Sequence, residues 1–206
     1  DHPKVATGLV NLARFHLRTG NYDAPGPVLA RAQAIQEKAL GPEHPDVAGA
    51  AANLALWLTD LGDYEEAAAL VGESLAIRIA ALGPEHPQVA GSLTVQANLL
   101  LATGRYDEAI VISTEAQRIL RIGLPEDHWQ VAAAVNTEGA ARARLGQYAA
   151  AEKLLLKSLQ GLAGSALPGI EARGRQRLVE LYTAWGRPAD AARYRSAAAG
   201  ESTAAR

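Results

Sequence analysis

The sequence predicts an all-α protein, a right-handed superhelical solenoid of about five antiparallel helix pairs. Three observations lead to this prediction. The motif Leu-Gly-Pro-Glu-His-Pro at residues 40–45 returns 42 positions later at residues 82–87. A Gly-x-Tyr motif recurs with the same period, and the apolar content consists mainly of Ala and Leu, which favour helices. A fixed period of this size is typical of a repeat solenoid.

The boundary motif predicts the end of one helix and the start of the next. Gly41 can end a helix in a left-handed conformation, Pro42 prevents its continuation, and Pro45 suits the first position of a new helix. His44 precedes a proline and should be extended. His-Pro at residues 2–3 and a degraded copy at residues 124–129 place one histidine at each junction.

The four junction histidines look like a ligand series but do not predict a metal site. Two helices separate successive copies, and packed helices lie about 8–10 Å apart. Zinc requires about four ligands at roughly 2 Å. We therefore expect these histidines to lie at helix starts, and we predict neither a metal nor a cofactor.

The Gly-x-Tyr motif marks the turn inside each repeat. Its glycines are 42 positions apart and then 40, at Gly20, Gly62, Gly104, Gly146 and Gly186. Apolar residues before and after it recur at intervals of three and four, which indicates a helix on each side. Gly62 can adopt positive φ, and Asp63 is a candidate N-cap of the second helix.

These motifs divide the chain into repeats at residues 3–44, 45–86, 87–128, 129–166 and 167–199 of one solenoid, with a frayed tail at 200–206. Pro25 and Pro27 should delay the second helix of the first repeat, because proline is tolerated only in a first turn. The chain has no methionine and begins at a repeat boundary. We expect it to be a piece of a longer protein.

Composition excludes several classes of function. Without cysteine there is no disulfide framework or thiolate metal site, which weakly favours the cytoplasm. No apolar run is long enough to span a membrane. Neither a nucleophile elbow nor a phosphate-binding loop is present, so we do not expect an enzyme. The net charge of −2 argues against nucleic acid as a partner.

The repeat motifs resemble those of a known family. The Gly-x-Tyr-x-x-Ala segments at residues 62–67 and 104–109, with Asn-Leu-Ala at 11–13 and 53–55, are similar to tetratricopeptide repeats (TPRs). The 42-residue period and its linker resemble the kinesin-light-chain-like subclass. This resemblance implies a protein or peptide partner. Ala, Leu and Arg usage also resembles bacterial tandem arrays, which often act as sensors in signalling proteins.

The resemblance implies that the first helices of the repeats line a concave groove. Carried over by register, the candidate peptide-binding residues are Asn11, Arg14, Arg18, Asn53, Asn98, Asn136, Arg144, Arg173 and Arg177. A row of amides can both donate to and accept from a peptide backbone, and arginines can hold carboxylates bidentately. Residues 104–206 contain 14 basic and 11 acidic residues, against 6 and 11 in residues 1–103. We therefore expect an acidic ligand stretch toward the C-terminal repeats.

Other interpretations of the same residues stay open. The polar residues could form a solvated surface, or the asparagines could pack against the next repeat. The array could also be structural, self-associating through its terminal repeats. Nucleic-acid binding is a weaker alternative, since no aromatic residues alternate with the basic ones.

Overall fold

The structure of the protein is a computed structural model that describes residues 2–18, 25–163 and 168–203. This part of the chain contains ten α-helices and no strand, which confirms the all-α prediction. The helices are α1 (Pro3–Arg18), α2 (Pro25–Leu40), α3 (Pro45–Leu61), α4 (Tyr64–Leu82), α5 (Pro87–Ala102), α6 (Tyr106–Gly123), α7 (Trp129–Arg144), α8 (Tyr148–Leu162), α9 (Pro168–Ala184) and α10 (Pro188–Thr203).

The helices group into two compact units. The first, residues 1–104, contains α1 to α5 and the second, residues 105–206, contains α6 to α10. In the first unit α1 packs on α2 and α3 on α4, and α5 lies against both α3 and α4. In the second unit α7 packs on α8 and α9 on α10, and α7 also contacts α6 and α9. Each unit is thus built from helix pairs stacked on their neighbours.

The junction histidines cap the helices that follow them. The Nδ1 atoms of His2, His44, His86 and His128 accept hydrogen bonds from the backbone N–H two residues ahead, at 3.1–3.3 Å. His44 is extended, with φ −80° and ψ 137°. Each imidazole therefore pairs with one of the N–H groups that a helix start leaves without an intrahelical partner. The prediction that these histidines belong to helix starts is confirmed.

The turns within and between repeats depend on glycine. Gly62 ends α3 at φ 93°, and its N–H donates to the carbonyls of Leu58 and Thr59. Gly41 has φ 88° after α2. Asp63 occupies the N-cap position of α4 as predicted, but its side chain makes no capping bond there. The predicted N-cap position of Asp63 was right, and the expected capping hydrogen bond from its side chain was wrong.

The core repeats with the period of the sequence. Ala67, Ala109, Ala151 and Ala191 are fully buried at the equivalent position of four second helices. The fifth equivalent, Pro25, is buried and begins α2, which confirms the predicted start of that helix. Small side chains allow the two helices of a pair to approach closely, so the periodic alanines set the spacing inside each repeat.

One contact departs from this small-residue pattern. A Cβ placed on Gly26 of α2 would lie 2.3 Å from the indole of Trp57 on α3. The ring therefore fills the space that a side chain at residue 26 would need.

The C-terminal part of the chain contains a stacked aromatic pair and a last helix that is longer than predicted. Trp185 lies in the turn after α9 and stacks on Tyr148 with 5.7 Å between ring centroids. Helix α10 continues to Thr203, past the predicted start of the tail at residue 200. The predicted repeat boundary at residues 166 and 167 lies outside the described residues.

Candidate functional site

Helices α3 and α5 of the first unit lie side by side and share a partly exposed surface. On α3 it comprises Gly49, Asn53, Leu56 and Asp60, spaced by four, three and four residues, which places them on one side of the helix. On α5 it comprises Gly91, Thr94 and Asn98. We call these seven residues the α3–α5 face.

Two asparagines lie on the α3–α5 face, although Asn98 aligns with Leu56 in the 42-residue period and so lies about one turn further along its helix than Asn53. The Nδ2 of Asn53 donates to the carbonyl of Gly49 at 3.0 Å, and the Nδ2 of Asn98 donates to the carbonyl of Thr94 at 2.8 Å. Each bond reaches one turn back along its own helix and fixes the direction of the amide. Since an amide nitrogen carries two hydrogens and the oxygen accepts twice, the amide of Asn53 keeps further capacity for hydrogen bonds.

The structure describes only some of the predicted peptide-binding residues on α1. Asn11 is exposed on this helix. Arg14 and Arg18 belong to the same helix, but their side chains lie outside what the structure describes. Their predicted role stays a prediction.

The α3–α5 face also contains a cation that sequence reasoning missed. Arg78 comes from the second helix α4, and its guanidinium lies between α3 and α5. Its Nη1 donates to the carbonyl of Gln88 and to Ser92 Oγ, both at 2.8 Å, and its Nε donates to the carbonyl of Pro45 at 3.5 Å. A Cβ on Gly49 would lie 2.8 Å from its Nη2. The guanidinium of Arg78 therefore lies against α3 at Gly49, in the space that a side chain there would occupy.

Burial lowers the pKa of Arg78 below its usual value, while the negative charge of Asp46 raises it by a smaller amount. A sequence signal for this residue did exist. Arg78 is the single basic residue among residues 39–104, which include eight acidic ones.

In the second unit the asparagine predicted to bind peptide is buried. Asn136 on α7 is 3% exposed. Its Nδ2 donates to Ser158 Oγ at 2.8 Å, and its Oδ1 accepts from Arg177 Nη1 at 2.7 Å. Arg177 also donates to Thr137 Oγ1 at 3.2 Å. Asn136 and Arg177 therefore connect α7, α8 and α9, and Asn136 does not lie on an open surface as expected.

The remaining arginines predicted in the second unit also have partners within the protein. Arg144 Nη2 on α7 lies 3.3 Å from Glu180 Oε2 on α9, and Glu180 Oε1 also accepts from Gln176 at 3.2 Å. Arg173 is half-buried on α9 and makes an interaction of its own. We call Arg144, Arg173, Gln176 and Glu180 the α7–α9 face. Arg144 and Arg173 each interact with other groups of the protein, and the acidic ligand stretch expected at the C-terminal repeats stays a prediction.

Two further features bear on function. Within the described residues, no three His, Asp or Glu side chains are grouped so that they could hold a metal ion. In the same part of the chain, no helix is both long and apolar enough to cross a lipid bilayer.

Comparison with known proteins agrees with this architecture. A family model for the tetratricopeptide repeat matches residues 4–80 and 46–122, which together cover more than half of the chain. The chain belongs to the tetratricopeptide repeat family. Its helix pairs are thus TPRs, and the fold is an all-α TPR solenoid. No curated protein sequence matches the chain.

Solved structures extend the similarity over nearly the whole chain. Two crystal structures of a Podosopora anserina protein named for kinesin light chain, with nearly identical TPR-like repeats, are 25% identical in sequence. They cover 95% of this chain and 93% and 94% of their own, with TM-scores of 0.64 and 0.63. BtubC from P. vanneervenii is 18% identical, covers 96% of this chain and 82% of its own, and has a TM-score of 0.67.

The TPR fold generally mediates protein–protein interaction or scaffolding, and proteins of this type are typically not enzymes. The class of function predicted from the sequence therefore agrees with the family.

Proposed function

We propose that the protein is a peptide-binding TPR module whose α3–α5 face holds an extended segment of a protein partner. In this role it serves as the sensor or scaffold part of a larger bacterial signalling protein. The single observation that supports the proposal best is the pair Asn53 and Asn98, which are half-exposed on the shared face of two adjacent helices.

The spacing of these amides suits an extended chain. Packed helices lie about 8–10 Å apart, and an extended chain rises about 3.3 Å per residue. Amides on α3 and α5 would thus meet peptide groups about three residues apart. Hydrogen bonds to the backbone do not depend on the ligand's side chains, so the amides supply affinity and the other residues of the face supply selectivity.

The hydrogen bond from each Nδ2 to a carbonyl of its own helix also favours binding of a peptide. A side chain that already has a fixed direction loses little rotamer freedom when a ligand arrives. The remaining N–H and the Oδ1 of such an amide can donate to a peptide carbonyl and accept from a peptide N–H.

An array of immobilised short peptides of varied sequence tests this function. The wild-type protein is compared with the double variant Asn53→Ala/Asn98→Ala and with the control Gln160→Ala, which removes an exposed amide from the second helix α8. Circular dichroism verifies that all three are folded.

We expect the wild type and the control to select the same peptides, and the double variant to bind them at least tenfold more weakly. The proposal fails if the wild type selects no peptide, or if the double variant binds as well as the wild type. Sedimentation of the free protein tests the alternative, a structural role without a ligand. Self-association through the terminal repeats would give a dimer in the absence of peptide.

A further inference from the structure

Helix α6 of the second unit carries the two most exposed large apolar side chains among the residues that the structure describes. Val111 is 66% exposed and Ile122 is 64% exposed, whereas the next in this set, Leu61, is 46% exposed. The two side chains are eleven residues apart, which is about three helical turns, so both lie on the same side of α6. Covering such side chains removes apolar surface from water and is favourable.

The repeat fold itself does not require these apolar residues. The positions equivalent to Val111 are Ala69 in α4 and Lys153 in α8, and the position equivalent to Ile122 in α4 is Ala80. Since α4 and α8 form with alanine or lysine there, packing inside a repeat does not account for Val111 and Ile122. They indicate a contact outside the chain.

An ion pair lies between the two apolar residues on the same side of the helix. Glu115 Oε1 is 2.8 Å from Arg118 Nη2, and both side chains are nearly half-exposed. Val111, Glu115, Arg118 and Ile122 are spaced by four, three and four residues and so form a straight line along α6. We call these four residues the α6 stripe.

The order of residues in the α6 stripe is complementary to itself when two copies run antiparallel. The stripe has an apolar residue, an acid, a base and an apolar residue at symmetric intervals. In an antiparallel pair with a two-fold axis, Val111 faces Ile122 of the second copy, and Glu115 faces its Arg118. In a parallel pair in register each charge would face its like, which is unfavourable. The stripe therefore fits an isologous, two-fold contact.

The ends of α6 favour the same direction. Asp107 and Glu108 lie in its first turn and Arg121 lies in its last turn. Antiparallel docking places the acidic end of one helix beside the basic end of the other and opposes the two helix dipoles. Arg121 also pairs with Glu126 of its own chain at 3.0 Å, so the ends contribute less than the stripe.

We propose that the α6 stripe is a docking surface for a second copy of this chain, which binds with its own α6 antiparallel to the first. This inference goes beyond the proposed function and does not depend on a peptide. A contact of one helix from each protomer is smaller than the interface of a permanent dimer. We therefore expect a monomer–dimer equilibrium in the range of about 10 μM to 1 mM.

Sedimentation equilibrium over that range of concentration tests the surface. Val111→Lys introduces the residue that α8 has at the equivalent position, and Ala69→Lys is the matched control on α4. Wild type and Ala69→Lys should dimerise alike. Val111→Lys should dimerise at least tenfold more weakly, because Val111 takes part in both apolar contacts of the two-fold pair. Circular dichroism verifies that all three are folded.

Two outcomes of this measurement overturn the proposal. One is a wild type that remains monomeric at 1 mM. The other is a Val111→Lys variant that dimerises as strongly as the wild type, which would assign self-association to another surface, such as the terminal repeats.

A second measurement tests the antiparallel direction. Glu115→Arg and Arg118→Glu each place like charges opposite one another, so each variant by itself should dimerise about fivefold more weakly than the wild type. An equimolar mixture of the two should regain the affinity of the wild type, because each variant presents the charge that the other attracts. If the mixture dimerises no better than the separate variants, antiparallel docking through α6 is wrong.

The dimer and the proposed peptide site can fail independently. Peptide binding depends on Asn53 and Asn98 and is measured on the array, whereas dimerisation depends on the α6 stripe and is measured without peptide. Val111→Lys should select the same peptides as the wild type. A loss of peptide binding in this variant would contradict the separation of the two surfaces.

Discussion

The α3–α5 face of the first unit and the α7–α9 face of the second use asparagine and arginine in opposite ways. Asn53 and Asn98 bond back to their own helices and stay half-exposed, whereas Asn136 is buried between three helices. Within the described residues Arg78 forms no ion pair and interacts with Asp46 only through its charge, whereas Arg144 pairs with Glu180. The difference shows that a repeat position determines where a side chain begins, while its neighbours determine whether a ligand can use it.

The largest expected effect comes from removing one asparagine from each unit. Asn136→Ala should lower the free energy of unfolding by about 1–3 kcal/mol, because it takes a partner from both Ser158 and Arg177 in a buried site. Asn53→Ala should change it by less than about 0.5 kcal/mol. Urea denaturation followed by circular dichroism measures both. Equal losses in the two variants would contradict the distinction between a structural and an open asparagine.

The histidine caps give an intermediate effect and should not differ between the units. His86→Ala and His128→Ala each remove a side-chain acceptor from a helix start, so each should cost about 1 kcal/mol. Asp63→Ala is the control, because Asp63 occupies an N-cap position without a side-chain bond. The same denaturation experiment compares the three. A loss for Asp63→Ala as large as for the histidines would show that the imidazole bonds add nothing.

The smallest effect concerns the charge pair on the α7–α9 face. Glu180→Gln should leave stability nearly unchanged, because both partners of the pair with Arg144 are exposed. It should improve binding of peptides with one carboxylate by up to about threefold at low salt, since Arg144 loses its acidic partner. Fluorescence anisotropy with labelled peptides measures this change.

Glu115→Gln is the control for that prediction. It removes the same charge from an ion pair with Arg118 on the second helix α6. If both variants improve binding equally, the net charge of the protein and not the α7–α9 face is responsible.

Local features of the sequence predicted most of the fold. A helix end depends on residues within a few positions, so Gly62, Pro45 and the junction histidines indicated the helix bounds correctly. Asp63 is the exception, because the residue type and position favour a cap but do not oblige the side chain to turn back. Family resemblance and the period of 42 then assigned each helix to the first or second place in its repeat.

The candidate site was less predictable because it depends on contacts between distant residues. Asn136 is buried by Arg177, 41 positions away, and nothing near Asn136 in the sequence indicates that bond. Arg78 belongs to a second helix and would not be assigned to a first-helix surface by register. Its guanidinium lies against Gly49, where an added Cβ would come within 2.8 Å of Nη2. The sequence does mark it as an isolated cation.

The contact between Gly26 and Trp57 has a consequence for how such an array can change over generations. Near-identical repeats in a gene are prone to unequal recombination, which duplicates or deletes whole units. A duplicate of residues 45–86 placed directly after the original would set a copy of Trp57 against Ala68, the equivalent of Gly26, whose methyl occupies the space that the indole needs. The indole of Trp57 therefore fits against α2 of the first repeat but not against a copy of its own second helix. This contact favours the present order of the first two repeats, although their linkers are nearly the same.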